Sequence, residues 1–138
     1  MVHNTNWMKY LPLLLAFVLL SASYPARAQM TGNFSTDVAM VNSALATTLV
    51  ATGKTDGSTS HVAMQELYRL WLQFRAKNYE DPVNGPQFVS DMNAVQAKLY
   101  AASKLIDGRQ LETAHSELKT ADTLLQAARQ RHGKTSAY

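Results

Sequence analysis

Two groups of side chains have the types and spacing for metal chemistry. His61 and Met64 stand three residues apart, as do Glu112 and His115, so on a helix each pair shares a face. Imidazole and thioether suit copper, and a carboxylate with two imidazoles suits several other divalent metals. Antiparallel packing of the two segments would join the pairs into one site. The competing reading makes Met64 core filling and leaves His61, Glu112 and His115 along a solvated helix edge. Glu112-x-x-His115 is also half of a di-iron motif. That centre needs a second such pair and two further inward carboxylates. The first and third helical segments offer only Asp37 and Asp91, which excludes it.

The second group is Met30 and His132. A haem in a bundle core can be held by one Met near the start of the first helix and one His near the end of the fourth. Met40 is the obvious partner by position but has the wrong phase. At ~100° per residue it lies roughly 130° from the mean direction of Phe34, Val38, Val41, Leu45 and Leu49. Met30 has the right phase if the helix extends back through Gly32. The alternative for His132 is an imidazole favoured by the helix dipole and followed by a cap at Gly133.

Other apparent motifs carry no chemistry. Gly53-Lys54-Thr55 resembles the tail of a phosphate loop, but Thr48 occupies the required glycine position and no strand precedes it. Asn33-Phe34-Ser35 is a glycosylation sequon only by letter, and no nucleophile elbow is present, so an enzyme is not expected. Tyr68, Trp71 and Phe74, with Tyr100 facing them, read as core; the functional reading of that group is a flat partner-binding face.

The elements that must position these residues follow from periodicity. In the third segment Phe88, Met92, Val95, Leu99, Ala102 and Ile106 step by fours and threes. Leu111, Ala114, Leu118, Ala121, Leu125, Ala128 and His132 do so in the fourth. Both are coiled-coil-like seams. The second segment offers Met64, Leu67, Leu70, Trp71 and Phe74. The first offers Phe34, Val38, Val41, Leu45 and Leu49, diluted by Thr47, Thr48 and Thr52. Asn33 and Ser35 can cap the first helix and Ser60 the second. Pro86 suits the first turn of the third. Gly108 can close the third helix, while Asp107, with Gln110 as box partner, can cap the fourth. The helices are expected at about 34–52, 60–79, 86–106 and 108–132. Short loops make neighbours antiparallel, giving an all-α, up-down-up-down four-helix bundle with no internal repeat.

The N-terminus reads as an export signal. A polar stretch containing Lys9 precedes the apolar run Leu11 to Leu20, and Pro25 precedes Ala26-Arg27-Ala28. Cleavage is predicted between Ala28 and Gln29, leaving residues 29–138 as one domain in the periplasm or secreted. The apolar run falls short of the ~20 residues of a spanning helix, so no stable membrane anchor is expected after cleavage. Removing residues 1–28 takes two of the 13 basic residues and none of the 10 acidic ones, leaving a net charge near +1. No nucleic-acid partner is indicated. The chain has no Cys, which excludes a lipid anchor at the cleavage site, disulfides and covalent c-type haem.

From Leu105 to His132, a Gly turn, an Ala/Leu seam and a late His follow the pattern of the soluble periplasmic b-type cytochromes, and the chain resembles that family in layout. The resemblance implies a four-helix bundle with haem between a Met and a His, here Met30 and His132. The stretch from Ala114-His115 to Arg129, Arg131 and Gly133 is also similar to the closing helix of small exported helical-bundle proteins of unassigned function. The expected role is non-catalytic binding of an envelope protein partner. The alternative is a metal- or haem-binding bundle for electron transfer or metal handling.

Overall fold

The computed structural model describes residues 30–78 and 85–132. They form four helices: α1 (Phe34–Gly53), α2 (Gly57–Asn78), α3 (Gly85–Asp107) and α4 (Leu111–His132). No strand occurs among the described residues, and no helix there is long and apolar enough to cross a membrane. The expected export segment with its predicted Ala28–Gln29 junction, residues 79–84, Gly133 and the polar tail lie outside the described residues.

Each helix packs on its two neighbours in the order α1–α2–α3–α4–α1. Polar contacts fix the alternating directions. The start of α1 meets the end of α2 (Asp37–Asn78), and the start of α2 meets the end of α3 (His61–Asp107). The start of α3 meets the end of α4 (Asp91–His132), and the start of α4 meets the end of α1 (His115–Thr52). The up-down-up-down bundle expected from periodicity is therefore the observed fold.

The seams of α3 and α4 are buried as expected, with Leu111 only partly so. The α1 seam differs. Thr48 and Thr52 are fully buried, while Leu49 is partly buried at its edge. The run Phe34, Val38, Val41, Leu45, Thr48, Thr52 keeps the four-three step, so the threonines continue the stripe that they were expected to dilute. Burying their hydroxyls is tolerable because each donates to its own helix: Thr48 to the Ala44 carbonyl at 2.8 Å, Thr52 to the Thr48 carbonyl at 3.0 Å. Trp71 and Phe74 are core, whereas Tyr100 is exposed, with the Lys104 ammonium 5.5 Å from its ring centroid.

Several helix ends differ from expectation. Asn33 caps α1, accepting from the Thr36 N–H at 3.0 Å. Asp56, not Ser60, caps α2: its carboxylate accepts from the Thr59 N–H at 3.0 Å and hydroxyl at 2.8 Å. Two oxygens of a carboxylate reach a helix entry better than a hydroxyl one turn inside it. Asp107 is the last residue of α3, and Gln110 stands before α4 with its carbonyl accepting from Ala114. The left-handed residue that closes α3 is Arg109 (φ 59°) rather than Gly108.

The two halves of the bundle correspond in register, which the reading of no internal repeat did not anticipate. Both α1 and α3 close with the same Schellman pattern. Thr55 N–H reaches the Thr52 carbonyl and Asp56 N–H the Ala51 carbonyl; Arg109 reaches Ile106, and Gln110 reaches Leu105. Thr55 and Arg109 are the two non-glycine residues with positive φ. A shift of 54 residues carries Thr55 onto Arg109, the end of α1 onto that of α3, and both ends of α2 onto those of α4. The same shift pairs Phe34 with Phe88, Asp37 with Asp91, Val41 with Val95 and Leu45 with Leu99. It also pairs Thr59 with Thr113, His61 with His115, Leu70 with Leu124 and Arg75 with Arg129. The bundle is two helical hairpins of matching register packed face to face.

Candidate functional site

The two ends of the bundle are built differently. At the end holding both chain turns, α2 starts beside the last turn of α3. The α1–α2 loop, the first turn of α2 and the α3–α4 turn surround an open cleft of about 640 Å³. Its walls include His61, Val62, Asp107, Arg109 and Leu111. Val62 is 63% exposed, a large apolar side chain facing water. Thr55 and Arg109, the two strained closures, both stand on its rim.

The four residues first grouped for metal binding separate here. His61 Nδ1 lies 3.4 Å from Asp107 Oδ1 across the α2–α3 seam. Met64 is buried one turn below and lines with His61 a smaller cavity of about 150 Å³. His115 faces the opposite seam, its Nδ1 2.9 Å from Thr52 Oγ1. The α1 backbone comes so close that a Cβ on Gly53 would stand 3.3 Å from the His115 ring, which is why glycine suits that position. Glu112 is exposed in the first turn of α4. Helices α2 and α4 sit on a diagonal, so the seam residues lie between the two pairs. No three His, Cys, Asp or Glu side chains converge at metal-binding spacing among the described residues.

At the other end the described residues gather aromatic rings. Phe34 stacks against Phe74 and Phe88, each with ring centroids 5.8 Å away, and Trp71 lies 5.6 Å from Phe74. Two carboxylates are buried at its margin. Asp37 is fully buried and accepts from Thr31 N–H at 2.7 Å, Thr31 hydroxyl at 2.8 Å, Gly32 N–H at 2.8 Å and Asn78 at 3.1 Å. Burial pulls its pKa up, but these four donors together outweigh burial and hold it below the ordinary carboxylate value. Asp91 is the equivalent residue. It accepts from Arg131 at 2.7 and 3.0 Å, Gln87 at 3.0 Å and pairs with His132 Nε2 at 2.8 Å. There too burial raises the pKa, and Arg131, then His132 and Gln87, more than offset it.

The residues implied as haem ligands by the family resemblance have different surroundings. His132 is buried, edge-on to Phe88 at 5.1 Å, with Nε2 engaged by Asp91. Met30 is buried against the end of α2, where Gln73, Ala76 and Lys77 share a hollow with it. Phe34, Phe74 and Phe88 pack together in the core at this end. Met40 lies on the outer side of α1 in a groove with Leu70 and the Glu66–Arg69 ion pair, as its phase requires.

Asp37, Asp91 and Asp107 are the polar residues of the site regions that residue types alone passed over. Asp37 and Asp91 share one signal, an aspartate three residues after the phenylalanine that opens each seam, whereas Asp107 has Gly53 at its equivalent position. A comparison of the chain with protein-family models, curated proteins and solved structures finds no match.

Proposed function

We propose that this chain is an exported, non-catalytic binding protein of the cell envelope, and that it engages a protein partner through the cleft at its turn end. The cleft itself carries the reading. It joins exposed Val62 and partly buried Leu111 to the guanidinium of Arg109 and the N-terminus of α2. That combination suits a partner segment presenting an acidic side chain beside an apolar one. The buried titratable groups elsewhere serve structure: Asp37 and Asp91 are saturated with donors that tie helix ends together. The N-terminal polar, apolar and small-residue zones support export with cleavage before Gln29.

The test has two arms. N-terminal sequencing of protein from a periplasmic extract is expected to begin at Gln29; cytosolic protein beginning at Met1 rejects export. A partner recovered with the wild type is expected to be lost with Val62→Asp and Arg109→Glu and kept with Leu72→Asp, which alters an exposed apolar residue away from the cleft. Once purified, that partner is expected to shift the Val62 and Arg109 amide resonances. Retention by both cleft variants rejects the reading.

A further inference from the structure

We propose that His61, Met64 and Asp107 form a binding site for a single copper(I) ion on the α2–α3 seam. The first observation is a distance. The 3.4 Å between His61 Nδ1 and Asp107 Oδ1 exceeds the about 2.7–3.2 Å of an ordinary hydrogen bond. Two ligands bound at ~2.1 Å to a tetrahedral ion stand about 3.4 Å apart. The pair therefore stands close enough for one ion to take both as ligands with little movement. Helix ends hold both partners there: the Asp56 cap positions the first turn of α2, and the Arg109 closure fixes the last turn of α3.

The second observation is the cavity. About 150 Å³ of space is lined by His61, Met64, Gln65, Ser103, Ile106 and Asp107, room for an ion and a water. Met64 contributes to its wall from the buried side. Imidazole and thioether together select copper, and the thioether favours its +1 state. The single carboxylate matches that single charge, which lowers the cost of holding the ion at a half-buried seam. The Gln65 amide lies 3.2 Å from His61 Nε2. Turned to present its oxygen, it accepts the Nε2 proton and leaves the Nδ1 lone pair for the metal.

The third observation is the repeat. Position by position, the equivalent α4–α1 seam replaces these ligands: His115 matches His61, but Leu118 matches Met64, Gly53 matches Asp107 and Leu49 matches Ser103. The histidine belongs to both hairpins, whereas the thioether and the carboxylate belong to one seam. His115 therefore serves as a control within the same molecule. The site does not depend on the partner-binding reading of the cleft.

The test uses tag-free protein titrated with copper(I) against a chromophoric competitor, and with zinc(II) by calorimetry. One equivalent of copper(I) is expected. His61→Ala and Asp107→Asn each weaken it at least tenfold. Both residues are half-exposed, so circular dichroism and urea midpoints stay those of wild type. Met64→Leu weakens copper(I) at least tenfold and changes zinc(II) less than twofold. His115→Ala changes neither. No uptake by wild type overturns the proposal. So does wild-type affinity in any of the three ligand variants, or a loss on His115→Ala.

Discussion

The hairpin of α1 and α2 and the hairpin of α3 and α4 occupy the same register yet satisfy it with different chemistry. Each places an aspartate near the start of its first helix and reaches it from the last residue of its second helix, 41 residues on. In the first hairpin that residue is Asn78, and backbone N–H groups of Thr31 and Gly32 supply the rest. In the second it is His132, helped by the guanidinium of Arg131. A buried carboxylate can thus be held by neutral donors or by a cation, and one fold does both. The histidine near the start of each second helix shows the reverse. The residue is kept, and its surroundings change from Asp107 to Thr52 and Gly53.

The comparison breaks most sharply at the aspartates. Asp91→Ala leaves His132 buried without its carboxylate and is expected to cost about 3 kcal/mol in urea unfolding. Asp37→Ala is expected to cost about 2 kcal/mol, because water can reach the freed N–H groups of exposed Thr31 and Gly32. Equal losses would show that hydrogen bonds, and not the Arg131 charge, set the cost. Both carboxylates have folded pKa values below the ordinary value of 3.8. Their stabilisation is therefore complete above the unfolded pKa and is lost as pH falls through the folded values. The urea midpoint is expected to decline below about pH 4. The double variant Asp37→Asn, Asp91→Asn flattens that decline, and an unchanged acid limb would dismiss the two groups as its source.

Smaller effects sharpen the same contrast. Ser60 is fully buried and its hydroxyl has no hydrogen-bond partner among the described atoms, while the equivalent residue is Ala114. Ser60→Ala is expected to stabilise by about 1 kcal/mol, read from the thermal midpoint. Thr55 and Arg109 both sit at left-handed φ, but only threonine is β-branched. Thr55→Gly is expected to gain about 0.5 kcal/mol and Arg109→Gly less, since glycine relieves the strain but loses more backbone entropy.

The fold was legible because three of the four seams are apolar at regular steps, and periodicity reports burial directly. The first seam was misplaced at its end because Thr48 and Thr52 look polar by type, although their hydroxyls bond within their own helix. The correspondence stayed hidden because paired seam positions hold different residues, Val38 against Met92, Thr52 against Ile106, Trp71 against Leu125 and Phe74 against Ala128. The turns also place their glycine differently, Gly53-Lys54 against Asp107-Gly108. His61 and Met64 were legible as neighbours on one face. Their third partner was not, because which helix lies across a seam is a property of packing. Asp107 had looked like a cap for the next helix, and Glu112 and His115 had looked like partners across a diagonal that the bundle does not close.

The grip of Asp37 on Thr31 and Gly32 also sets where this molecule can be cut. A shortened version beginning at Asn33 would keep every residue of the four helices and still discard three of the four donors around a buried charge. The safe boundary for any recombinant version or fusion joint therefore lies before Met30, a few residues upstream of where helix limits alone would place it.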